Sequence, residues 1–324
     1  MDHGRGVLPR SNNMIRAGLR FARSFPRRFY VDLGDYRRTV FLAGTGRSGT
    51  TWVEDIINFD GSYRIMFEPF HARNVELFRN WNYRQYLRGE NRDPKFIESA
   101  RKVLEGEISH YWIDKFNKKY VARKRLIKDI RANLFLKWIK QNFPEIPIIL
   151  LLRHPCAVAN SKLELDWDTH LGDFLAQEEL VDDFLSPFRA EIAETQDIFD
   201  KHVFMWCIEN YVPLKQFRDG EILVIFYENL CTDPRREIES ILSFVGTSYS
   251  AKALDAHGKP SALSRKDSAV LSGAGLVNSW RKKISVERAR RALEILSIFG
   301  LQSIYGEGDL PLVSGRDALK VLGI

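Results

Sequence analysis

Gly44-Thr-Gly-Arg-Ser-Gly-Thr-Thr-Trp52 gathers glycines, hydroxyls and one guanidinium into a single short stretch. Glycines remove side-chain bulk, and N–H groups at the start of a following helix meet an anion where the helix dipole is positive, so the stretch is suited to holding phosphate. A plain strand–turn–helix with incidental glycines is the alternative. A second cation and hydroxyl stand at Arg153 and Ser161 in Leu150-Leu-Leu-Arg-His-Pro-Cys-Ala-Val-Ala-Asn-Ser161. Arg153 leaves the end of an apolar run, Pro155 opens a helix and Ser161 lies on it, so a guanidinium and a hydroxyl can converge on one phosphate. The competing reading is a structural salt bridge for Arg153 and a solvated Ser161. Glu68 and His71, in Phe67-Glu-Pro-Phe-His71, are the candidate general bases. His110, His170, His202 and His257 have no metal-ligand spacing and read as structural or exposed.

These groups need rigid elements to position them. Short apolar bursts at Thr39–Ala43, Ile146–Leu152 and Ile222–Tyr227 are of the type expected for strands buried on both faces. Helical spacing appears between them, over Asn133–Phe143 and again over Glu237–Val245, where Pro234 and Gly246 punctuate the ends. Val286–Phe299 reads as a packing helix with a basic outer surface. Strands alternating with helices predict a three-layer α/β fold. Its central sheet is mostly parallel with helices on both faces, and its P-loop-like site lies at the carboxyl ends of the strands.

Three nucleotide families could claim the glycine stretch. Gly44, Gly46 and Gly49 formally satisfy the dinucleotide pattern G-x-G-x-x-G, and Gly44 and Gly49 frame four residues as in a P-loop. Thr50, however, stands where the lysine of a Mg-ATP enzyme belongs, and the cation Arg47 lies inside the loop. R-S-G-T-T-W resembles the 5′-phosphosulfate loop of the superfamily of sulfotransferases that use 3′-phosphoadenosine-5′-phosphosulfate (PAPS). R-x-P-x-x-x-x-x-S, here Arg153 to Ser161, resembles that superfamily's other nucleotide motif. Ile222 to Gly246 resembles its strand, Y-E-D-L turn and helix, with Asn229 in place of the usual Asp. The resemblance spans residues 38–305 and is specific at these three places.

The resemblance implies roles. Arg47 takes the position of the loop's catalytic cation, Ser48, Gly49, Thr50 and Thr51 surround the 5′-phosphate, and Trp52 and Tyr227 lie near adenine. Arg153 and Ser161 hold the 3′-phosphate, joined by Arg281 and Lys282 of Asn278-Ser-Trp-Arg-Lys-Lys-Ile284. The family's usual Arg-Lys-Gly triplet is absent there, and Lys259–Lys266 is a competing basic loop. Lys128, in Lys128-Asp-Ile-Arg131, corresponds to a lysine that reaches the sulfuryl group, with pairing to an acid as the alternative. Glu68 is favoured over His71 as base, with a base elsewhere as the remaining alternative, and Glu228 reads as a buried structural partner. In sulfuryl transfer an acceptor oxygen attacks sulfur in line while the nucleotide phosphate leaves, so positioned cations matter most and no metal is required.

The 324 residues suit one α/β domain with decorations, and 44% hydrophobic with 28% charged residues is the composition of a globular chain with a sizeable core. We expect a basic extension over residues 1–35 and the sulfotransferase domain over 36–324. A net charge of +7 favours an anionic partner. A nucleic-acid or glycan-binding protein would explain that charge but would not require the two phosphate motifs, and no nucleic-acid partner is expected. Three scattered cysteines without C-x-x-C spacing suggest neither disulfides nor zinc. The longest apolar run, Ile146–Leu152, falls far short of the roughly 20 residues that span a bilayer. A cytoplasmic location is expected, with the Arg-rich stretch from Met14 compatible with peripheral membrane contact or a transit peptide. Residues 72–120 match nothing specific. Their Trp81, Tyr83, Tyr86, Trp112 and basic residues suit a hydroxyl-bearing acceptor such as a sugar or small molecule, with surface packing as the alternative. The sequence leaves the acceptor's identity and the oligomeric state open.

Overall fold

The computed structural model describes residues 31–32, 34–117, 121–259, 275 and 277–322. The Arg-rich stretch from Met14 and all but Lys259 of the loop Lys259–Lys266 lie outside the described residues. In chain order the strands are β1 (Val31–Asp32), β2 (Thr39–Gly44), β3 (Tyr63–Phe67), β4 (Val121–Ala122), β5 (Lys124–Asp129), β6 (Ile148–Leu152) and β7 (Leu223–Phe226). β1 and β4 pair with each other, and the remaining five form one parallel sheet in the order β3-β5-β2-β6-β7. From β2 the chain goes first to β3 at one edge, returns to β5 between the two, and then crosses to β6 and β7 on the other side of β2.

The period-2 alternation of the strands sorts the core into two layers. Phe41, Ala43, Met66, Ile127, Ile148, Leu150 and Phe226 face one side. Val40, Leu42, Ile65, Leu126, Ile149, Leu151 and Ile225 face the other. The second layer is closed by α1 (Thr50–Ile57) through Trp52, Val53, Ile56 and Ile57. The first is closed by α2 (Leu136–Asn142), α3 (Pro155–Leu163), the long α4 (Ile198–Gln216) and, further along the chain, the helix Val286–Ile298. The three-layer arrangement expected from the sequence is present.

Two of the five strands escaped the sequence reading. β5 is Lys124-Arg-Leu-Ile-Lys-Asp129, a pattern too charged to suggest a buried strand, and β3 carries Arg64 at its centre. Both are nonetheless buried, because the charges are neutralised internally. Arg64 pairs with Asp114 at 2.9 Å and Asp32 at 3.2 Å, and Arg125 pairs with Asp32 and donates to Thr39 Oγ1 at 3.0 Å. The helix expected over Asn133–Phe143 begins as a 3-10 turn, Asn133–Phe135, before α2. The other two expected helices appear as Pro234–Phe244 and Val286–Ile298.

Candidate functional site

Every strand of the sheet delivers a polar group at its carboxyl end. Arg47 follows β2, Glu68 follows β3, Lys128 and Arg131 mark the end of β5, Arg153 follows β6 and Tyr227 follows β7. In an open parallel sheet this edge, near the point where the winding reverses, is where ligands bind. The groups fall into two clusters.

The first is built around the glycine loop. At Gly44 a Cβ would lie 2.7 Å from the Leu151 carbonyl oxygen of β6, so only glycine lets the two strands run this close. Thr45 and Ser48 share a hydrogen bond of 2.6 Å, and both are fully buried, so Ser48 braces the loop from within. Gly49 caps α1 with φ of +98°, and the helix opens on Thr50 and Thr51, whose first-turn N–H groups have no partner within the helix. Arg47 is held from two sides. Its Nε donates to Ser161 Oγ at 3.0 Å, and its carbonyl accepts from Arg153 at 3.1 Å. The Arg153 guanidinium lies 4.2 Å from the centre of the Tyr227 ring, and its Nε is buried without a hydrogen-bond partner. Trp52 packs between Tyr227 and His257 and donates its indole N–H to the His257 carbonyl at 2.9 Å. Trp280 stacks on His154 at 4.4 Å, which brings Asn278–Ile284 beside the β6 turn. Arg281 there is exposed and paired with Asp309, and Lys282 is exposed. Glu228 is a buried structural partner as expected, accepting from the His154 N–H at 2.9 Å and the Tyr305 hydroxyl at 2.8 Å.

The second cluster centres on Glu68, whose φ of +44° turns the chain sharply off β3. One carboxyl oxygen accepts from Lys128 Nζ at 3.0 Å and the other from Arg131 at 2.6 Å. Burial pushes this carboxyl up, but Lys128 and Arg131 outweigh it and hold it below its ordinary value, so it is ionised at neutral pH. His71 is pushed down to about 4 by burial and by Arg131. Its Nδ1 accepts from the Arg73 N–H at 3.3 Å, which in the neutral ring leaves the proton on Nε2 and no basic nitrogen to spare. Glu68 is thus an anionic carboxylate held between two cations, and His71 a neutral imidazole.

The sequence reading missed several groups nearby. Lys115 stacks its ammonium on Phe67 at 3.6 Å and Trp112 at 3.7 Å, and burial lowers it to about 8. Glu54, on the buried side of α1, is pushed up to about 8 by burial. Arg73 and Arg84, beside the Tyr83 already singled out in the sequence, are two more, and Lys162 is a third. No local pattern marks them, although Lys162 directly follows Ser161.

The sulfotransferase-domain family matches residues 37–297. The chain belongs to that family. It is accordingly a PAPS-dependent sulfotransferase, as the motifs at Arg47 and Arg153 led us to expect. No curated protein matches the sulfotransferase in sequence. Solved structures similar to it include the sulfotransferase domain from the curacin biosynthetic pathway, at 14% identity over 80% of this chain and 95% of that one with a TM-score of 0.45. The sulfotransferase domain from a Synechococcus olefin synthase is 16% identical over 81% and 94%, with a TM-score of 0.45. A mouse sulfotransferase complexed with PAP is 17% identical over 83% and 86%, with a TM-score of 0.44. Among the described residues, no helix is long and apolar enough to cross a membrane.

Proposed function

We propose that the enzyme moves the sulfuryl group of PAPS to a hydroxyl of a carbohydrate or small molecule, releasing adenosine 3′,5′-bisphosphate. The observation that carries this reading is the double tether of Arg47 to Ser161 and Arg153, which makes one site of two phosphate motifs more than a hundred residues apart in sequence. The residues present fit the donor. The buried, unpartnered Arg153 Nε is a donor awaiting an anion, and the glycine approach at Gly44 keeps the loop low enough to cradle one.

PAPS supplies an activated sulfuryl group and a phosphate leaving group. Arg47, with the first-turn N–H groups of Thr50 and Thr51, neutralises charge on the leaving phosphate. Arg153 and Ser161 hold the 3′-phosphate, and Tyr227 and Trp52 flank the adenine. Arg281 is engaged with Asp309, so Arg281 and Lys282 serve as outer contacts at most. Lys128, paired with Glu68 at 3.0 Å, stabilises the sulfuryl oxygens. Glu68 takes the acceptor's proton, and Arg131 orients its carboxylate. Residues 36–324 form the catalytic domain of this reading, with 1–35 as a basic extension. Glu68→Gln is expected to lower transfer of labelled sulfate from PAPS by about 10²-fold or more while bisphosphate binding persists. Full activity in that variant would exclude Glu68 as the base, and a wild-type protein that turns over no PAPS would exclude the reading altogether.

A further inference from the structure

Beside Glu68, three guanidiniums converge on one aromatic ring. Arg73, Arg131 and Arg84 lie 4.4, 4.8 and 5.1 Å from the centre of Tyr83. Arg131 links this group to the chemistry, because the same guanidinium donates to Glu68 at 2.6 Å. Arg84 is 4% exposed and pairs through Nε with Glu209 of α4, yet its Nη1 has no hydrogen-bond partner. Lys162 is 1% exposed and also lacks a hydrogen-bond partner, reaching Glu209 only at 4.0 Å.

Lys128 and Arg131 share Glu68, Arg84 and Lys162 share Glu209, and Arg73 is a fifth cation beside them. Among the described residues, no carboxylate pairs with Arg73. Burial lowers His71, His170 and His202, and these cations add to it, Arg131 at His71, Arg84 at His170 and Lys162 at His202. Like charges collected this closely, with buried donors unsatisfied, are costly unless an anion joins them. Arg73 is exposed and Tyr83 half-buried, so the group is open on the Arg73 side.

We propose that this constellation binds an anionic group of the acceptor, a carboxylate or a sulfate ester, beside the hydroxyl that Glu68 deprotonates. The enzyme's acceptors are then acidic hydroxyl compounds. Guanidiniums stacked on a ring keep their in-plane N–H donors free for bidentate pairing with such a group, and the Tyr83 ring offers a flat surface to the acceptor's body. The inference rests on the function proposed above, since it takes the Glu68 side as the acceptor side.

The test uses the full-length protein saturated with adenosine 3′,5′-bisphosphate. Calorimetry would compare a glucuronate-bearing tetrasaccharide, its sulfate-ester analogue and its carboxyl-reduced neutral counterpart. At least one acidic sugar is expected to bind about tenfold or more tighter than the neutral one, and which acid wins separates carboxylate from sulfate. Arg73→Ala is expected to erase the preference and Arg73→Lys to restore part of it, with retained bisphosphate affinity showing that the variants are folded. Equal binding of all three sugars, binding of none, or an unchanged preference in Arg73→Ala would overturn the proposal alone. A wild-type protein that does not bind the bisphosphate would overturn the donor reading and this inference with it.

Discussion

Glu68 and Glu54 are the same side chain set to opposite protonation states by their surroundings. Glu68 is buried but sits between Lys128 at 3.0 Å and Arg131 at 2.6 Å, and it stays ionised. Glu54 is 3% exposed, one of its carboxyl oxygens has no hydrogen-bond partner, and burial pushes it up to about 8 despite Lys128 nearby. Between its ordinary value and about 8 the folded protein holds a proton on Glu54 that the unfolded chain has lost, so stability must fall as pH rises through that window. Glu54→Gln is thus expected to leave Tm nearly unchanged at pH 4.5 and to raise it over wild type at pH 8, measured by thermal denaturation. A difference independent of pH would show that Glu54 does not titrate in this way. Glu68 could be proposed as a base from the sequence because it is a carboxylate shortly after the loop helix. The protonation of Glu54 could not, because its burial depends on β5 packing beneath α1, and β5 itself was hidden.

Single elements place these side chains, and their tolerance of change follows from local geometry. The strand–loop–helix unit from β2 to α1 depends on Gly49, where φ is +98° and an added Cβ would fall 2.8 Å from the Tyr227 ring. Gly246, past the helix Pro234–Phe244, has φ of +69° and open space around it. Both alanine variants incur backbone strain of about 1–3 kcal/mol, but only Gly49→Ala adds a clash and displaces the ring beside Arg153. Chemical denaturation should rank Gly49→Ala as the more destabilised, and only that variant should lose bisphosphate affinity; equal effects at the two sites would contradict this placement of Tyr227. The strands β2, β6 and β7 were readable as uninterrupted apolar runs. β3 and β5 were not, because Arg64 and Arg125 read as surface charges until Asp32 and Asp114 are brought against them by the fold.

Across the whole molecule, a parallel sheet collects at one edge what the chain spreads over Arg47 to Tyr227, and the family match over residues 37–297 embraces all five strands. The proposed donor half of the site could be read from the sequence because each phosphate motif is local, a strand end and the helix that follows it. The proposed acceptor half was only partly legible: Tyr83 was singled out, but Arg73, Arg84, Arg131 and Lys162 come from three separate segments whose meeting only the tertiary structure reveals. The central claim is that Arg47, Arg153 and Ser161 form one nucleotide site, and titration calorimetry with adenosine 3′,5′-bisphosphate, Mg-ATP and NAD tests it most directly. The account predicts that the wild type prefers the bisphosphate, that Arg153→Ala weakens it by about tenfold or more, and that Ser161→Ala weakens it less, as expected for loss of a charged and a neutral hydrogen bond. Tighter binding of Mg-ATP or NAD than of the bisphosphate, or unchanged affinity in Arg153→Ala, would contradict it.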